Sequence, residues 1–78
     1  KIRVEDDVDG RLLIDVINRF LKEQTEERRG IFMRRYWYLD SVASVAKRFG
    51  ISQSNVKTTL FRLRNELKDF LESEGYNI

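Results

Sequence analysis

Apolar residues return along this chain at three- and four-residue intervals, and the pattern predicts four helices and no strand. The pairs Leu12/Leu13, Val16/Ile17 and Phe20/Leu21 recur every four residues, which predicts a first helix from about Arg11 to Glu23 with a broad buried face. Asp9 is placed to cap it, and the acidic, turn-like stretch from Lys1 to Gly10 reads as a linker end leading into a domain over 11–78. Thr25 followed by Glu26 and Glu27 signals a second helix start, because a hydroxyl and two carboxylates suit the unpaired amides and positive dipole end of a first turn. That helix runs to about Tyr36 or Trp37 with Ile31, Phe32 and Tyr36 inward. Gly30 inside it costs about 1 kcal/mol relative to alanine and hints at a close helix approach.

A third, short helix follows a cap at Asp40 or Ser41 and points Val42, Val45, Ala46 and Phe49 inward. Gly50 ends it, Ile51 plugs the turn, and Ser52 caps a fourth helix that continues through Val56, Leu60, Leu63, Leu67 and Phe70/Leu71 to about Ser73. Small Ala46, Gly50 four residues on, and the plugs Ile51, Val56 and Leu60 together form a helix-turn-helix pattern, the alternative being an ordinary helical corner. The expected fold class is therefore all-α, a small four-helix domain with a C-terminal helix-turn-helix.

Composition narrows the chemistry. With 78 residues, 41% hydrophobic and 36% charged, this is one small domain with a modest core. Cysteine and histidine are both absent, which removes disulfides, zinc-thiolate sites, the commonest general base and the commonest metal ligand. Neither enzymatic activity nor a cofactor or metal is expected. No apolar run approaches the roughly 20 residues that span a bilayer and no leader opens the chain, so no membrane partner and a cytoplasmic location are expected. The opening lysine is what a piece of a longer protein would show.

The formal net charge of +2 conceals an asymmetry. Residues 1–27 carry five basic and eight acidic side chains, and residues 69–78 three acidic ones. Residues 28–68 carry ten basic side chains against only Asp40 and Glu66, an excess of +8 over the two turns and helices described above. Such a block is the electrostatic footprint of a surface that meets phosphate.

The stretch "ISQSNVKTTLFRLR" sharpens this. On a wheel of about 100° per residue, the stripe through Val56, Leu60 and Leu63 leaves Ser54, Asn55, Thr58, Phe61, Arg62 and Asn65 outside, with Lys57 at the edge. Arginine can donate two bonds to guanine, asparagine can pair with adenine, hydroxyls bond phosphates or base edges, and a ring can pack on a thymine methyl. Phe61 either needs such a partner or packs on a neighbouring helix or loop. Arg34, Arg35, Lys47 and Arg48 are candidates for flanking phosphate contacts, with plain surface solubility as the other reading. Arg28 and Arg29 read as partners of Glu26 and Glu27. The run "YWYL" from Tyr36 to Leu39 reads as core and helix end in preference to an aromatic docking surface.

Over about residues 12–71 the chain resembles the fourth conserved region of bacterial RNA polymerase sigma factors, closest to the extracytoplasmic-function type. The specific part is the arginine-bearing helix with its aromatic end, then "AKRFGIS", then "NVKTTLFRLRNEL". The resemblance implies that the last helix enters the major groove of promoter DNA and reads the −35 element. By position, Lys57, Thr58, Phe61 and Arg62 match the family's DNA contacts, and Ser54 and Asn55 match its helix start. It also implies docking on the β flap of the polymerase core, through a groove between the first three helices, and in several members capture by an anti-sigma protein. Thr59, where many relatives carry a second basic residue, and Gly30 depart from the family pattern. A response-regulator-type or stand-alone helix-turn-helix regulator, and an interaction module that reads no DNA, are the other readings.

Overall fold

The computed structural model describes the backbone of residues 7–76 and the side chains of residues 12–76. Among the described residues four helices follow one another: α1 (Asp7–Lys22), α2 (Glu26–Tyr36), α3 (Val42–Phe49) and α4 (Gln53–Ser73). Among the described residues there is no strand, and no helix is long and apolar enough to cross a membrane. Residues 1–6 of the expected linker end lie outside the described residues. Residues 7–10 are helical, so α1 begins before Asp9, which is not its cap.

Three of the helix starts are made by local chemistry. The hydroxyl oxygens of Thr25, Ser41 and Ser52 each accept from the amide three residues on, at 3.2, 3.0 and 3.0 Å, satisfying a donor that the helix itself leaves unpaired. The stop after α3 is equally local. Gly50 takes the left-handed conformation at φ 67°, its amide donates to Lys47 O, and the amide of Ile51 donates to Ala46 O. The chain therefore reverses in three residues and α4 starts at once.

Among the described residues two clusters form the core. Ile31, Val45, Ala46, Val56 and Leu60 make one, covered by Val42, Phe49 and Ile51; Phe20, Leu21 and Leu63 make the other, covered by Ile17, Phe32, Met33, Leu67 and Phe70. Val45, Val56 and Leu63 are wholly buried, as the spacing of the two last helices requires. The expectation for Gly30 also holds, since α2 meets α3 where a Cβ would collide with the ring of Phe49.

Two inward assignments are corrected. Leu12 is 52% exposed, because the buried stripe of α1 is set by Val16, Phe20 and Leu21 and Leu12 falls beside it. Tyr36 is exposed rather than inward, for its ring leans on Phe32 with centroids 4.9 Å apart while its hydroxyl reaches outward to α4.

Candidate nucleic-acid interface

The capped start of α4 and its buried stripe together determine what the helix presents to solvent. Val56, Leu60 and Leu63 face the core, so Ser54, Asn55, Thr58, Phe61, Arg62 and Asn65 are exposed on the opposite side, with Lys57 exposed at its edge. Phe61 is 58% exposed, which removes the reading in which its ring packs on a neighbouring helix. An unpartnered ring among hydroxyls, amides and cations is a surface able to combine apolar contact with hydrogen bonding. Asn55 is partly engaged, since its Oδ1 accepts from the hydroxyl of Thr59 at 3.2 Å.

Lys47 and Arg48 lie in the last turn of α3 and are also exposed. Among the described residues, none of Lys47, Arg48, Lys57 and Arg62 stands in an ion pair. Their charge is thus uncompensated on the side of the molecule where α3 and α4 meet solvent.

Arg34 and Arg35 have another task first. Arg34 Nε donates to Asp40 Oδ2 at 2.8 Å with its guanidinium 4.2 Å from the centre of the Tyr38 ring, and Arg35 donates to the backbone carbonyl of Asp40 at 3.1 Å. The Asp40 amide returns a bond to Arg34 O at 2.9 Å. Asp40 so clasps the end of α2 from three directions and fixes the entry to α3, where Ser41, not Asp40, is the cap. Arg34 nevertheless also lines an open groove of about 510 Å³ with Asp40, Ser44, Lys47 and Arg48.

That clasp explains the run from Tyr36 to Leu39. Leu39 adopts φ 61°, a left-handed conformation that costs a branched side chain on the order of 1 kcal/mol and that the bonds of Asp40 sustain. The tight turn throws Trp37, Tyr38 and Leu39 outward at 73%, 57% and 77% exposure, so the run is not core. Trp37 and Tyr36 then border an apolar groove of about 360 Å³ between α1 and α2, lined also by Ile14, Ile17, Leu21, Phe32 and Met33.

Several long-range contacts join the helices. Arg28 pairs with Glu66 of α4 at 3.1 Å rather than with Glu26 or Glu27, and Arg29 donates to the carbonyls of Leu21 and Gln24, closing the end of α1. Arg19 grips Glu74 through both terminal guanidinium nitrogens, Nη2 at 2.7 Å and Nη1 at 3.5 Å, and lies 5.8 Å over the ring of Phe70. The hydrogen bond from Arg19 holds the Glu74 carboxyl below its ordinary range, against the opposing effect of desolvation, and raises the guanidinium in return. Arg64 Nη1 donates to the Tyr36 hydroxyl at 2.7 Å. The partners of Arg64, Arg28 and Arg19 stand 28, 38 and 55 positions away in the sequence, where no local signal ties them together.

No protein-family model matches the chain, and no curated protein matches it.

Proposed function

We propose that this domain reads double-stranded DNA through α4, as the −35-reading fourth region of a bacterial sigma factor. The observation that carries the reading is the exposed Phe61 standing among Ser54, Thr58 and Arg62 on the face opposite Val56, Leu60 and Leu63. In this reading α3, the Gly50 turn and α4 form a helix-turn-helix. Arg62 and Thr58 address base edges, Phe61 packs on a thymine methyl or a sugar, and Lys57, Ser54 and Asn55 flank them. Lys47 and Arg48 hold phosphates, with Arg34 at the rim of the same groove and Arg35 acting mainly on the Asp40 loop. The apolar groove between α1 and α2 gives the polymerase β flap, or an anti-sigma protein, a surface distinct from the DNA-facing one.

Selection from a randomised duplex library at low salt tests the proposal. A short, non-palindromic motif is the expected outcome for a single copy that reads promoter DNA. A palindrome with half-sites about one helical turn apart would favour a dimeric regulator instead, and a lack of enrichment would favour an interaction module.

A further inference from the structure

We infer that Arg64 is a further DNA-backbone contact of the α4 surface and that the hydroxyl of Tyr36 positions it; this rests on the DNA-reading function proposed above. Arg64 lies on the flank of α4 that also carries Lys57, seven residues earlier, and Lys68, four residues later, and all three are exposed. That flank is off the centre of the face that holds Thr58, Phe61 and Arg62. A helix seated in a groove turns its centre to base edges and its flanks to the phosphate walls.

The charge of Arg64 is free to act there. Glu66, the nearest acid along the helix, is taken by Arg28 at 3.1 Å, and among the described residues Arg64 stands in no ion pair. One of its five N–H groups is used, in the 2.7 Å bond to Tyr36, and the rest of the fork is uncommitted. Tyr36 is itself held, as the last residue of α2 with its ring against Phe32 and against the lining of the apolar groove. A long, exposed arginine is therefore ordered from a neighbouring helix before any ligand arrives, which lowers the conformational entropy lost when it meets a phosphate.

Titration of the selected duplex and of a scrambled duplex of equal length, over a salt series, tests this for the wild type and for Arg64→Gln, Arg64→Lys and Tyr36→Phe. Arg64→Gln is expected to weaken both duplexes by the same factor, about tenfold, and to flatten the logarithmic salt dependence by about one. Arg64→Lys should restore the salt dependence, because the charge returns without the fork. Tyr36→Phe should weaken both duplexes several-fold with the salt dependence unchanged, since no charge is lost.

Wild-type affinity and salt dependence in Arg64→Gln would overturn the inference, and so would a loss confined to the selected duplex, which would make Arg64 a base reader. Unchanged affinity in Tyr36→Phe would remove the positioning role. Should Arg64→Gln fail to fold, Arg64→Met, which keeps the apolar stem and removes the charge, takes its place, and wild-type affinity and salt dependence in that variant would overturn the inference equally. A wild-type domain that binds neither duplex in a salt-dependent way would overturn the DNA reading itself, a result distinct from any of these.

Discussion

Gly30 of α2 and Phe49 of α3 share one space: a Cβ on Gly30 would stand 2.9 Å from Cζ and 3.2 Å from Cε1 of the ring. The missing side chain is what lets α2 come close enough to α3 for Ile31, Val45 and Ala46 to bury one another. The helix-propensity cost of glycine is thus offset by packing.

Gly30→Ala is expected to destabilise the domain by about 1 kcal/mol, because overpacking of about 1–3 kcal/mol exceeds the propensity gain of about 1 kcal/mol. Adding Phe49→Leu should recover part of that loss in a double-mutant cycle measured by urea denaturation. A single Gly30→Ala variant more stable than the wild type would show that the ring gives way freely.

Phe61→Ala separates stability from recognition. Because the ring is 58% exposed, its removal should leave stability within about 0.5 kcal/mol, while binding to the selected duplex falls. A melt clearly lower than wild type would mean that the ring supports the fold.

Arg62 and Lys47 should fail in different ways. Arg62→Ala is expected to relax preference at one base position by about 1–3 kcal/mol, and Lys47→Ala to weaken all duplexes alike. Binding profiles over a panel of single-base variants decide it, and equal, sequence-independent losses in both would refute the division of roles.

The Arg19–Glu74 clasp makes a pH-dependent contribution of known sign. The folded state holds the Glu74 carboxyl below its unfolded value, so the contribution is fully present above the ordinary carboxylate range, near pH 4.3, and is lost as pH falls through the folded value. Glu74→Gln should therefore melt below the wild type at neutral pH, and the difference should shrink under acid conditions. A gap that stays constant down to pH 3 would mean that the carboxylate charge is not what stabilises.

Elements whose cause is local were legible in the sequence. The caps at Thr25 and Ser52 each need only a hydroxyl and an amide three residues on, and the bend at Gly50 needs only a backbone without a Cβ. The outward face of α4 followed from the buried stripe alone. What escaped was the choice among distant partners. Arg28 has carboxylates beside it yet takes Glu66, and Arg34 and Arg35, read as free cations, are bound by Asp40, because tertiary register decides which oxygen is nearest. Trp37, Tyr38 and Leu39 look like core by composition, and only the left-handed turn at Leu39 turns them out.

Leu60 and Leu63 stand one turn apart on α4 and belong to different core clusters. A single helix is therefore the common wall of both, and neither half of the domain has an interior of its own to keep when the other opens. Unfolding should be all-or-none, with the amides of α4 from Val56 to Leu67 exchanging hydrogen only through global opening. The side chains that meet solvent between Ser54 and Arg62 would then be mounted on a helix that opens only when the whole domain does.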